Sequence, residues 1–197
     1  MDISSRCNLL VGVTGSIYAT SIHWYIDLFK SSLKCDIKII LTTNAADLLV
    51  RNGISIESLE IHTGDRVFVN LWDTSDSIDK VAHVQLSSWA DLFVVIPATA
   101  GIIAKAANGI ADDLLSTTIL TYPRPIVFAP AMNQLMWNKP AFQRNKKRLE
   151  EDGHRVIQVV PTVEIATGQN EGYAPSTDDL LLQMASLLMS RFKHQAL

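Results

Sequence analysis

The chain has 197 residues, enough for one domain with a sizeable core and too few for two comfortable ones. Hydrophobic residues make up 48% and charged residues 19%, an ordinary globular composition that excludes a disordered chain. With 17 Lys+Arg against 20 Asp+Glu the formal net charge is −3, so no basic excess exists for non-specific binding of nucleic acid or anionic membrane.

Along the chain, short runs rich in β-branched residues alternate with stretches of helical spacing. Asn8–Val13 reads as the first strand. Ser16–Leu33 reads as a helix that places Ile17, Ile22, Tyr25, Ile26, Phe29 and Leu33 largely on one face. Ile37–Thr42 is the second strand. Asn52–Lys80 has weak periodicity and predicts a short strand near Val67–Asn70 and a loop. A short amphipathic stretch, His83–Ala90, precedes the most apolar strand, Leu92–Ile96. Helices are predicted over Gly101–Ala107 and Asp112–Leu120, a strand over Ile126–Ala129, a helix over Phe142–Asp152 and a strand over Val156–Val160. Pro161–Pro175 has no apolar period and reads as a long loop, a length often used for lids and binding loops. A last helix spans Thr177–Phe192, with Asp178 and Asp179 near its positive end.

Most of these strands are apolar on both faces, as in a parallel sheet covered by helices on both sides. The expected fold is therefore α/β, a three-layer doubly wound parallel sheet in a single domain over residues 1–197. The uncharged stretch Pro125–Asn138 is well short of a membrane span and includes two prolines. No basic segment leads into an apolar run of signal length, so the expected location is cytoplasmic, with no membrane partner. Cys7 and Cys35 make neither a disulfide framework nor a four-ligand metal site, and no metal is expected.

Five segments carry candidate chemistry. Gly12-Val13-Thr14-Gly15-Ser16 follows the first strand and opens a helix, where free N–H groups favour a phosphate. It has neither the GxGxxG spacing nor a P-loop Lys, and a generic tight turn explains it as well. Leu41-Thr42-Thr43-Asn44 ends the second strand, where ligands of open α/β sheets sit; helix capping by Thr43 or Asn44 is the alternative. Pro97-Ala98-Thr99-Ala100-Gly101 has the small residues that let a flat ring lie on the backbone, or that a plain strand-to-helix turn uses. His83 is a candidate base near neutral pH or a surface residue. In Pro130-Ala131-Met132-Asn133-Gln134-Leu135-Met136-Trp137, an amide among sulfur and indole groups suits a carboxylate in a water-excluding pocket; a core-packing turn is the alternative.

Together these residues resemble the flavin-dependent cysteine decarboxylase family. The likeness rests on His83 ahead of Trp89-Ala90-Asp91, on Pro97–Ala100, on Ala107–Thr118 (ANGIADDLLSTT) and on Pro130–Trp137, and it runs from Leu9 to about Pro175. The family includes the epidermin- and mersacidin-type peptidyl-cysteine decarboxylases of lantibiotic biosynthesis and phosphopantothenoylcysteine decarboxylase.

The resemblance implies a flavodoxin-like or Rossmann-like sheet and a homo-oligomer of trimers assembled into a dodecamer, with flavin at subunit contacts. The cofactor would be FMN, since no second nucleotide motif is present, with FAD left open. His83 would be the base and Asn133 would hold the substrate carboxylate. Gly15, Ser16, Ile17, Thr42, Ala98, Thr99 and Ser116 would meet the cofactor. Met132, Met136 and Trp137 would meet substrate, as would Ile165, Ala166 and Thr167 in a substrate-clamp loop at 161–175. The coenzyme A branch carries Ala-Cys-Gly in this loop, and its Cys reduces the enethiol. Here Ala166-Thr167-Gly168 stands instead, which favours the peptide branch and a reaction that stops at the enethiol.

The implied partner is a precursor peptide ending in cysteine, with other peptide-modifying enzymes as possible associates and no nucleic acid. A coenzyme A decarboxylase and a non-catalytic flavin-binding regulatory subunit are the alternatives. Two positions depart from the family pattern: Gly101 replaces Asn or Asp, and Tyr18 replaces a smaller or polar residue.

Overall fold

The computed structural model describes residues 7–71, 81–163 and 172–194. In chain order its elements are β1 (Cys7–Val13), a 3-10 turn (Ile17–Ser21), α1 (Ile22–Leu33), β2 (Cys35–Leu41), α2 (Thr43–Arg51), α3 (Ile56–Thr63), β3 (Val67–Phe68) and α4 (Ala82–Trp89). There follow β4 (Leu92–Ala98), α5 (Ala100–Ala107), α6 (Leu114–Thr121), β5 (Val127–Pro130), β6 (Met132–Asn133), α7 (Gln134–Trp137) and α8 (Pro140–Glu151). The chain closes with β7 (Arg155–Val156), β8 (Val159–Thr162), β9 (Gly172–Pro175) and α9 (Thr177–His194).

Six strands form a parallel sheet in the order β3-β2-β1-β4-β5-β7. The chain runs outward from β1 to β3, then crosses back to β4, so the order reverses between β1 and β4. That reversal opens a crevice at the carboxyl ends of the strands.

The strand period of two divides the core into two layers. Leu9, Val11 and Val13 of β1, with Ile37, Ile39 and Leu41 of β2, face α1, α2, α3 and α9. Leu10, Ile40, Phe93 and Val95 face the opposite way, against α4, α5, α6 and α8. Both faces are covered, as expected from runs apolar on both sides. At Gly12 that second layer closes on the backbone itself, because a Cβ there would stand 2.5 Å from Leu115 Cδ1. Among the described residues no helix is long and apolar enough to cross a membrane.

Four local expectations change. The helix expected from Ser16 begins with the 3-10 turn and becomes α-helical at Ile22. The stretch 52–71 holds α3 besides the short strand, while 72–80 lies outside the described residues. The strand expected over Val156–Val160 divides, because β7 pairs with β5 while β8 pairs with β9. Finally, the ends of the loop expected over 161–175 are strand. β8 and β9 pair antiparallel, and β6 joins them in a three-stranded sheet of order β6-β9-β8.

Candidate functional site

At the crevice, the three turns after β1, β2 and β4 are tied together by the Thr14 hydroxyl and a backbone hydrogen bond. Thr14, 2% exposed, donates from Oγ1 to the Pro97 carbonyl at 2.7 Å and accepts from the Thr99 N–H at 3.0 Å. The Thr42 N–H donates to the Val13 carbonyl at 3.0 Å, which joins the second turn to the first. Gly15 lets this happen at close range, since a Cβ there would lie 2.8 Å from Asn44 Cβ.

Two α-helices begin at this edge. Thr42 caps α2 by accepting from the Ala45 N–H at 3.2 Å, so the cap is Thr42 itself rather than Thr43 or Asn44. Thr99 caps α5 by accepting from the Ile102 N–H at 3.4 Å. Helix N-termini and hydroxyls, with no acidic side chain among Gly12–Ser16, Leu41–Asn44 or Pro97–Gly101, form a donor set that suits a phosphate. Ser16 and Ile17 are half-buried at the mouth of this edge, and Ala98 is buried in β4.

The fifth motif closes on the same edge. The Ala131 N–H donates to the Ala98 carbonyl at 3.2 Å, and Ser16 Oγ donates to the Ala131 carbonyl at 3.4 Å. Met132 is buried in the core, whereas Asn133 is half-buried and caps α7, its Oδ1 accepting from the Met136 N–H at 2.8 Å. Its amide N–H2 points its donors elsewhere, since only the oxygen is used by the cap. Met136 is exposed, and the Trp137 ring lies 5.0 Å from Phe142 and 5.5 Å from Tyr173 of β9. Ile165, Ala166 and Thr167 lie outside the described residues.

His83 sits on the first turn of α4, half-buried. Its Nδ1 is buried without a hydrogen-bond partner among the described residues, and so are Ser87 Oγ and Thr117 Oγ1. All three atoms lie on α4 and α6, two helices that pack against each other. His83 and Ser87 are four apart and share a helix face.

Ser116 serves the protein itself: its hydroxyl and Asp113 close a capping box at the start of α6, with the Asp113 carboxylate accepting from the Ser116 N–H at 2.7 Å. The side chain is 1% exposed, so its expected cofactor role rests on the resemblance alone. Lys105 Nζ holds Asp112 at 2.6 Å and Asp113 at 3.1 Å, which fixes the α5–α6 connection. Its hydrogen bond with Asp112 pushes the Lys105 pKa up and the Asp112 pKa down. Among the described residues no group of three or more His, Cys, Asp or Glu is placed to hold a metal ion.

Sequence reasoning missed Thr14, although a hydroxyl residue between two glycines directly after an apolar strand is a signal for it. Ser87 and Thr117 gave no such signal.

Residues 2–189 match the protein-family model described as Flavoprotein. Mersacidin decarboxylase of Bacillus sp. (strain HIL-Y85/54728) is 37% identical over 194 residues, which cover 96% of this chain and 94% of that protein. The coenzyme A biosynthesis bifunctional protein CoaBC of Borreliella burgdorferi is 35% identical over 152 residues, 77% of this chain but 37% of the relative's length. Among solved structures, the FMN-dependent cysteine decarboxylase SpaF superposes with a TM-score of 0.76 at 32% identity, covering 92% of this chain and 97% of that one.

Proposed function

The chain belongs to the Flavoprotein family, and from that premise we propose that it is an FMN-dependent peptidyl-cysteine decarboxylase of lantibiotic-type biosynthesis. It takes the C-terminal cysteine of a ribosomally made precursor peptide to an enethiol. The carrying observation is the end-to-end likeness to mersacidin decarboxylase, against a likeness to CoaBC that spans 37% of that protein. Thr167, where the coenzyme A branch has Cys, supports the same choice.

The residues at the crevice fit FMN. Ser16 and the N-termini of α2 and α5, capped by Thr42 and Thr99, suit its phosphate, and Gly15, Ile17 and Ala98 border it. When bound, FMN would supply the two-electron acceptor that oxidation of the cysteine needs before CO₂ can leave. His83 takes the thiol proton, which makes that oxidation possible near neutral pH. Asn133 has its oxygen engaged by the Met136 N–H, so its amide N–H₂ is the part directed to the substrate carboxylate. Holding that carboxylate across the developing π system is a positioning role. Met136 and Trp137 would flank it, the Trp137 ring packed beside Phe142 and Tyr173.

The assembly belongs to the same proposal. Val81, Val84, Ile110 and Leu120 are exposed around α4 and α6, the helices that carry the unpartnered polar atoms. Exposed apolar residues there suit contact with another copy of the chain; trimers gathered into a dodecamer, with flavin at the subunit contacts, are what the family resemblance implies. The segment 161–175 is the substrate clamp, the enzyme works in the cytoplasm, and the whole chain is one domain.

The test is to incubate the purified flavoprotein with a synthetic peptide ending in cysteine and follow peptide mass and flavin absorbance together. The expected result is a mass decrease of about 46, CO₂ plus two hydrogens, with flavin bleaching in the absence of oxygen. A decrease of about 44 would instead mean that the enethiol is reduced, as in the coenzyme A branch.

A further inference from the structure

Tyr18 stands two residues after Ser16, in the 3-10 turn at the crevice. Its hydroxyl donates to the Val163 carbonyl at 3.3 Å, a contact between positions 145 apart in sequence. Val163 is the residue directly after β8. Within the sheet of order β6-β9-β8, β9 has a strand on each side, whereas β8 is an edge. The two sides of this hairpin are therefore held differently.

The β9 side is secured through the carboxylate-binding segment. Met132 pairs with Tyr173 and Asn133 with Gly172, and the Trp137 ring lies 5.5 Å from Tyr173. Among the described residues the β8 side pairs with β9 alone, and the outer N–H and C=O groups of an edge strand have no ladder partner. Pro161 suits such an edge, because its missing N–H costs no ladder bond. Val160 and Val163 are exposed. The Tyr18 hydroxyl joins the end of this edge to the flavin turn, and Ser16 of the same turn reaches the Ala131 carbonyl. One short turn thus touches the segment leading into Asn133 and the hairpin paired with it.

We propose that Tyr18 is a positioning residue for the peptide substrate. By holding the end of β8 against the turn, it sets the width of the opening through which the residues preceding the cysteine reach Asn133. It acts through β8 and not on the reacting atoms. The inference rests on the proposed function.

The experiment compares wild type with Tyr18→Phe, which keeps the ring and removes the donor. Substrates are a peptide with several residues before its C-terminal cysteine and a dipeptide ending in cysteine. Expected for the variant is a KM for the longer peptide raised about three- to tenfold, the worth of one hydrogen bond. Its kcat, FMN content and Tm stay at wild-type values, and its KM for the dipeptide stays the same. Equal KM values for the longer peptide in both proteins overturn the inference. So do equal rises for peptide and dipeptide, or a loss of FMN or Tm, each of which makes Tyr18 a structural contact. A wild type inert toward both substrates overturns the proposed function and this inference with it. Wild-type turnover with an unchanged Tyr18→Phe profile overturns the inference alone.

Discussion

The carboxyl edge around β1, β2 and β4 and the packed pair α4–α6 treat their polar groups in opposite ways. At the edge, Thr14, Thr42 and Thr99 all have partners inside the chain, and the three turns are cross-linked before any ligand arrives. Between α4 and α6, the His83 imidazole and the Ser87 and Thr117 hydroxyls are buried with atoms that nothing in the described chain satisfies. Burial of an unbonded polar atom is costly, and backbone turns that satisfy themselves are not. The edge is thus satisfied within the chain, whereas His83 Nδ1, Ser87 Oγ and Thr117 Oγ1 have no partner among the described residues.

Four substitutions would break or sharpen this contrast. The largest effect is expected from His83→Asn, which should keep bound flavin and lose turnover by about a hundredfold or more. Normal turnover there would remove the chemical meaning of the unpartnered imidazole. Asn133→Asp comes next. Asp caps a helix as well as Asn does, so α7 should persist while the added charge repels the substrate carboxylate. A fall in kcat/KM of roughly 10- to 100-fold is expected, with unchanged circular dichroism; an unchanged rate would leave Asn133 as a cap and nothing more.

Thr14→Val tests the satisfied side. It strips the Pro97 carbonyl and the Thr99 N–H of their shared partner, a loss of about 1–3 kcal/mol. For a chain of this length that is a Tm lower by roughly 2–12 °C, readable in a thermal melt. A wild-type Tm would show that the edge is held by other means. The smallest effect should come from Ser87→Ala in the flavin-loaded protein. Removing a buried hydroxyl without a partner also removes the cost of burying it, so any loss of stability is expected to stay below about 0.5 kcal/mol. A larger loss would mean that Ser87 gains a partner in the assembled enzyme, and the contrast would then belong to the single chain only.

The architecture was readable wherever burial is uniform. β4 and most of β1 are apolar on both faces because helices cover both, while β2 has that pattern only over Ile39–Leu41 and carries Asp36 and Lys38 nearer its start. α2 and α3 escaped notice for a different reason. α3 buries only Leu59 along its length and has no apolar stripe, whereas α2 is amphipathic but only nine residues long, and two of its three buried residues are alanines. The hairpin escaped because Pro161, Gly172 and Pro175 punctuate it, and an edge pair tolerates residues that read as breakers. At the site, the residue types were legible but not their register: the hydroxyls at Thr42 and Thr43 are indistinguishable until the backbone shows which one precedes the helix. Orphaned atoms at His83, Ser87 and Thr117 have no sequence signature at all, since satisfaction is a property of the packed helices.

The pairing of Asn133 with Gly172 has a consequence for how this enzyme can change. That pairing acts as a socket: Asn133, proposed to hold the carboxylate, and β9, which leads away from the proposed clamp, share one ladder, braced by Trp137 against Tyr173. Whatever chain is spliced between Val163 and Gly172 enters and leaves at positions already set by that ladder. Peptide preference and carboxylate chemistry can therefore be inherited separately, and segments exchanged between related enzymes at these two residues should transfer the first while leaving the second in place.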